Sequence, residues 1–245
     1  LKTLAVLQPG YIPWLGFFDQ LARADVFVFY DDVQYDKNGW RNRNRIKAPS
    51  GPMWLTVPVR SIHLEQSILE TTIDDRQPWR KKHINTIEQF YRKAPYFNLY
   101  FETFRELLLR PWPTIADLDI AVVEYFVENL GLETKLYRSS QLEIAGDRIE
   151  RLIKLCLHFN ADQYLTGNAA KAYLQEGLFD DAGIAVCWQD YFHPEYSQLH
   201  GDFVPYLSTL DLLLNCGPNS LDIIQGKPPD SPVAAKNSDN RMERY

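Results

Sequence analysis

The chain has 245 residues, of which 45% are hydrophobic and 24% charged. These are proportions of a folded protein with one good core, and they exclude fibrous and disordered classes. Its 32 acidic against 26 basic side chains, a net charge of −6, argue against a general nucleic-acid partner, while leaving room for a local basic patch that grips phosphate groups.

The first unit reads strand, loop, helix, strand. Leu4 to Leu7 is a short apolar run, and Pro9, Gly10 and Pro13 forbid regular structure after it. Leu15 to Ala24 then places Leu15, Phe18, Leu21 and Ala22 on one helical face. Val26 to Tyr30 is apolar without alternation, as suits a parallel strand covered on both sides. In open α/β sheets ligands bind beyond the carboxyl ends of strands. That rule makes Gln8, Tyr11 and Trp14 candidate substrate-binding residues, and Asp31 and Asp32 the candidate catalytic pair.

Asp36 to Lys47 follows the Asn38-Gly39 turn signal with a strict alternation. Arg41, Arg43, Arg45 and Lys47 share one strand face, and Trp40, Asn42, Asn44 and Ile46 share the other. Cations on one face repel unless solvated or opposite an anion, so Arg41, Arg43 and Arg45 are read as phosphate-binding, with Asn42 and Asn44 toward substrate. Met53 to Val59 and Ile68 to Ile73 read as further strands, giving a small β-rich insertion over about residues 36–75.

A helical layer follows over about residues 78–131. Pro78 opens its first helix, Pro95 ends it, and Thr114 caps the last one, which Gly131 stops. Lys135 to Ser139 resumes a strand, a helix opens at Asp147 or Arg148 and runs to Phe159, and Gln163 to Thr166 is a strand again. Thr166, Gly167, Asn168 and Lys171 run from that strand end into a helix, where oriented N–H groups favour an anion. Arg43 and Lys171 are expected to converge on one phosphate.

Ile184 to Trp188 is the last strand, and Gln189 to Asp202 is a polar, aromatic loop suited to a lid, with Tyr196 and Gln198 toward substrate. Phe203 to Leu214 reads as a helix in which Asp211 must face solvent or find a partner. One α/β domain over residues 1–225 results, Rossmann-like with a mostly parallel sheet, followed by a disordered tail over 226–245.

Cys156, Cys187 and Cys216 suit neither a disulfide framework nor a zinc knuckle, and the five histidines show no ligand spacing, so the sequence offers no metal signature. No apolar run approaches the ~20 residues of a membrane span. The N-terminus reads as a strand where a signal peptide would stand, so a cytoplasmic protein is expected.

Three stretches, QPGYIPWLGFFDQLARADVFVFYDDVQY with NGWRNRNRIK, QYLTGNAAKAYL, and HPEYSQLHGDFVPYLSTLDLLLNCGP, resemble the WbqC-like family of bacterial surface-polysaccharide (O-antigen, lipopolysaccharide) gene clusters. Gln8-Pro9, Tyr11, Pro13-Trp14, Gly16, Asp31-Asp32 and Asn42-Arg43-Asn44 stand in that family's order. The resemblance implies a transferase that acylates an amino sugar, nucleotide-linked or free, with an amino-acid group such as glycine, Asp31 or Asp32 serving as base toward the sugar amine. An acyl-donor carrier and a nucleotide or nucleotide-sugar ligand would be its partners. Many relatives carry His before Gln-Pro where Leu7 stands here, so no catalytic His is carried over. A weaker resemblance is to the nucleotidyltransferase-like (HUP-like) fold, but Trp14-Leu15-Gly16-Phe17 has aromatics in place of that fold's histidines. Alternatives are therefore a non-catalytic nucleotide-sugar binding protein and a diverged ATP-using enzyme.

Overall fold

Five short strands form the centre: β1 (Thr3–Leu7), β2 (Val26–Phe29), β5 (Lys135–Arg138), β6 (Gln163–Thr166) and β7 (Ala185–Trp188). A computed structural model describes residues 1–60, 63 and 65–227. All five strands are parallel, in the order β5-β2-β1-β6-β7, and the fold is α/β. The chain builds outward from β1 through β2 to β5, then returns to the other side of β1 with β6. Strand order thus reverses between β1 and β6, and the crevice beyond their carboxyl ends is the natural ligand position.

Alternate residues of the central strands feed two cores. Ala5, Phe27 and Phe29 face a large cluster with α1 (Leu15–Arg23) and the helical layer, whose members are α2 (Trp79–Tyr91), α3 (Phe97–Leu109) and α4 (Ile115–Leu130). Leu4, Val6, Val26 and Val28 face a smaller one with α5 (Arg148–His158) and α6 (Glu176–Asp181). The helix ends follow local chemistry. Thr114 accepts from the Asp117 N–H, Asp147 accepts from Ile149 and Glu150, and Gly131 ends α4 in the left-handed region that glycine enters freely.

Four local expectations are corrected. The arginine strand begins only at Arg43, as β3 (Arg43–Ala48), paired antiparallel with β4 (Gly51–Thr56). Arg41 is drawn off it by the Pro9 carbonyl, to which it donates at 2.8 Å. Ile68 to Ile73 forms no strand: Glu70 accepts from the Ser67 N–H and hydroxyl, which closes a turn, and only isolated bridges such as Val59 with Ile73 remain. The junction after Thr166 is a five-residue 3-10 turn, Asn168–Ala172, without the dipole of a full helix. Finally, α7 runs Thr209–Cys216, because Ser208 caps it by accepting from Leu210, and α8 (Ser220–Ile224) follows. Residues 203–208 before it are irregular, with Tyr206 at φ 58°. The disorder expected of the tail falls, from 228 onward, outside the described residues.

Asp211 finds its partner indoors. It is fully buried, and the hydroxyls of Tyr91 and Tyr196 donate to its two oxygens at 2.6 and 2.9 Å. Burial raises its carboxyl pKa, and these hydroxyls offset only part of that rise. Lys47 is also sealed from solvent, its Nζ donating to the carbonyls of Gly201 and Asp202. Together they latch the 189–208 loop onto β3 and α7. No described helix is long and apolar enough to cross a membrane.

Candidate active site

The loop after β1 is held open by contacts from far along the chain. The Tyr11 N–H donates to the Trp40 carbonyl, and a Cβ at Gly10 would stand 3.0 Å from that oxygen, so a side chain there would have to push this carbonyl back by a few tenths of an ångström. Asn44, buried on β3, donates to the Ile12 carbonyl at 2.9 Å. Ile12 itself has φ 40°, a costly conformation for a β-branched residue that the surrounding contacts must impose. Trp14 lies against Gly16, where any side chain would collide with its ring.

This loop, the start of α1, the end of β2 and the start of α5 enclose a cavity of about 800 Å³ at the β1/β6 crevice. Its wall includes Gln8, Trp14, Asn44 and the tyrosines Tyr30, Tyr173 and Tyr206. Arg41, Arg45 and Arg148 also line it, and among the described residues no carboxylate does. Each arginine is aimed by a neighbour. Arg41 pairs with Asp36 at 3.2 Å, Arg45 donates to the Tyr206 carbonyl at 3.2 Å, and Arg148 stacks on Tyr173 at 4.5 Å. Gln20 adds a polar wall. Gln189 donates to the Gly16 carbonyl and Asp19, so its own oxygen must accept from Gln20, which leaves the Gln20 carbonyl oxygen without a partner.

Other expected residues lie elsewhere. Asn42 and Arg43 line an adjoining chamber, where Arg43 stacks on Trp54 at 4.7 Å. Asp31 is fully buried and accepts from Arg138 Nε at 3.0 Å, the Ser140 N–H at 3.0 Å and the Ser140 hydroxyl at 2.8 Å. Asp32 accepts from Ser139 at 2.5 Å and from Arg151, whose guanidinium stacks on Tyr30 at 4.7 Å. Asp31 thus ties the end of β2 to the end of β5, and Asp32 holds Arg151 against Tyr30 of the cavity wall. Tyr11 is fully buried and lines neither cavity; it is hydrogen-bonded to His83 at 2.9 Å, and burial pushes that imidazole down to about 4. Tyr196 and Gln198 secure the 189–208 loop, the latter by exchanging hydrogen bonds with Val204. Thr166 is buried, Gly167 packs beside Gln20, and Asn168 opens the short turn. Lys171 lies 3.8 Å from Asp190 and over Trp188, and it lines neither the inner cavity nor the chamber that Arg43 lines.

Asp119 was not singled out by sequence, yet it is fully buried with neither oxygen hydrogen-bonded. Burial holds its pKa well above the ordinary carboxylate range, with Arg41 opposing. A carboxyl raised by folding is protonated where the unfolded chain is ionised, so its cost grows as pH rises past ~4 toward the folded value. Asp119→Asn is expected to raise stability at pH 8 by about 1–3 kcal/mol, a gain that fades below pH ~4. Urea midpoints at both pH values check it, and a loss at pH 8 would contradict it.

Comparison with known proteins places the chain. It is 39% identical over 228 residues to the uncharacterized protein Rv1507c of Mycobacterium tuberculosis, covering 92% of this chain and 98% of that one. No solved structure matches it. The profile of the WbqC-like protein family matches residues 8–223, from the loop after β1 through α8, and the chain belongs to that family.

Proposed function

We propose that the cavity holds a phosphate-bearing sugar, a nucleotide-linked amino sugar, and that the protein transfers an amino-acid acyl group such as glycyl to its amine. The carrying observation is that Arg41, Arg45 and Arg148 line a cavity whose described wall holds no carboxylate, and that among the described residues only Arg41 of the three is in an ion pair, with Asp36 at 3.2 Å, in a chain of net charge −6. Arginine grips phosphate in a fixed fork, and a sheltered crevice focuses such charge. The aromatic wall suits a base or sugar ring, and the unpaired Gln20 oxygen calls for a hydroxyl or amine donor. Surface-polysaccharide synthesis is the setting that the family resemblance implies.

In this reading catalysis rests on alignment of amine and acyl carbon, and on an arginine facing the oxyanion that develops as nitrogen attacks. The described cavity wall supplies no carboxylate or imidazole as base. The amine must therefore arrive neutral, and the rate is expected to climb with pH through the amine's own ionisation. Incubation with UDP-glucosamine and a glycyl thioester or glycyl adenylate, read by mass spectrometry, should yield the glycyl amide, and UDP-glucose should yield none. That same lack of a base favours a second reading, a non-catalytic nucleotide-sugar binding protein. Saturable binding without any adduct would select it.

A further inference from the structure

We infer that the cleft holds two phosphate-bearing molecules at once, the nucleotide-linked sugar in the arginine-lined cavity and the acyl donor in the chamber beside it. This rests on the transferase reading above for the identity of the occupants. The chamber itself rests on geometry. Its volume is about 1090 Å³, beside the inner cavity's 800 Å³, and each is of a size that takes its own ligand. The two share Gln8, Val33 and Arg148 and otherwise have separate walls.

Charge in the outer chamber is unbalanced. Lys37, Arg43, Arg60, Arg76 and Arg148 line it, against the two carboxylates Asp36 and Asp74. Both acids are already engaged. Asp74 takes a bidentate pair from Arg76 at 2.7 and 2.8 Å, and Asp36 is paired with Arg41 of the inner cavity at 3.2 Å. Arg60 acts on Asp74 only from a distance, and among the described residues neither acid forms an ion pair with Lys37, Arg60 or Arg148. Arg43 is fixed by stacking on Trp54 and by donating to the Asn38 carbonyl, contacts that aim its charge without neutralising it. Cations gathered this way repel one another until an anion joins them.

An activated aminoacyl group brings such an anion from either of two sources, the phosphates of a coenzyme A-type thioester or the phosphate of an acyl adenylate. The step balances in both cases. The sugar amine forms the new C–N bond, the acyl C–S or C–O bond breaks, and the thiolate or phosphate departs with the electron pair. The amine proton passes to that leaving group or to water. Arg148, at the junction, touches both occupants and stands where the reacting ends meet.

Calorimetry with UDP-glucosamine, coenzyme A and AMP tests this. In wild-type protein saturated with UDP-glucosamine, coenzyme A or AMP should still bind one to one, and which of them does so identifies the thioester or the adenylate. Arg60→Ala should weaken that second probe about tenfold and leave UDP-glucosamine untouched, Arg45→Ala should do the reverse, and Arg148→Ala should weaken both. Competition between UDP-glucosamine and the second probe would show one ligand spanning both chambers, overturning the inference while the sugar reading stands. A second probe that binds through Arg60 without any UDP-glucosamine binding would overturn the sugar reading and the pairing of occupants, leaving an anion chamber alone. No heat from any probe would overturn both.

Discussion

Alanine at Asp31 is expected to destabilise the fold by about 3–5 kcal/mol, the usual consequence of removing one partner from a buried ion pair. The carboxylate is sealed at the end of β2 and accepts from Arg138, the Ser140 N–H and the Ser140 hydroxyl of the segment that ends β5. Without it, the part-buried N–H and hydroxyl of Ser140 and the buried Ser139 hydroxyl lose this acceptor, and Arg138 keeps only Asp117, at 2.9 Å. Asp31→Asn, which keeps one accepting oxygen, should cost less. Urea denaturation of both variants measures this. A catalytic base would behave differently: Asp31→Asn would abolish acyl transfer at unchanged stability, and that outcome would return the residue to the reaction.

Loss of Arg148 should have the largest effect on binding. Arg148 opens α5, its guanidinium sits over the Tyr173 ring at 4.5 Å, and it lines both the inner cavity and the outer chamber. Charge-assisted hydrogen bonds to phosphate are each worth about 1.5–3 kcal/mol, so Arg148→Ala should weaken UDP-glucosamine by roughly 10- to 100-fold with the urea midpoint unchanged. Lys171→Ala is the control. It pairs loosely with Asp190 and lines neither cavity, so its affinity should match wild type. An Arg148→Ala protein that binds as wild type does would remove this arginine from the site.

Elements governed by neighbours in sequence were legible; those governed by distant contacts were not. Pro9, Gly10 and Pro13 break the chain wherever they stand, so the β1-α1-β2 unit reads directly, as do the caps at Thr114, Asp147 and Gly131. Alternation over Arg41 to Lys47 is a true strand signal from Arg43 onward, but it cannot show that the Pro9 carbonyl captures Arg41 or that carbonyls of Gly201 and Asp202 bury Lys47. Asp31 and Asp32 do stand at a strand end, where the ligand rule looks for function. Their partners Arg138, Ser139, Ser140 and Arg151 lie more than a hundred residues on and take up the carboxylates. Arg148 was visible only as the first residue of a helix. Its place in the cavity depends on α5 lying over the β1/β2 face, which follows from strand order and from no local pattern.

A phosphate-gripping cavity at the β1/β6 crevice is tested most directly by titrating UDP-glucosamine into the protein calorimetrically at about 50 and about 200 mM salt, where screening separates charge from shape. The arrangement of Arg41, Arg45 and Arg148 predicts saturable one-to-one binding that weakens with salt and falls at least tenfold in both Arg45→Ala and Arg148→Ala. Absence of binding, or binding indifferent to salt and to both substitutions, would contradict it.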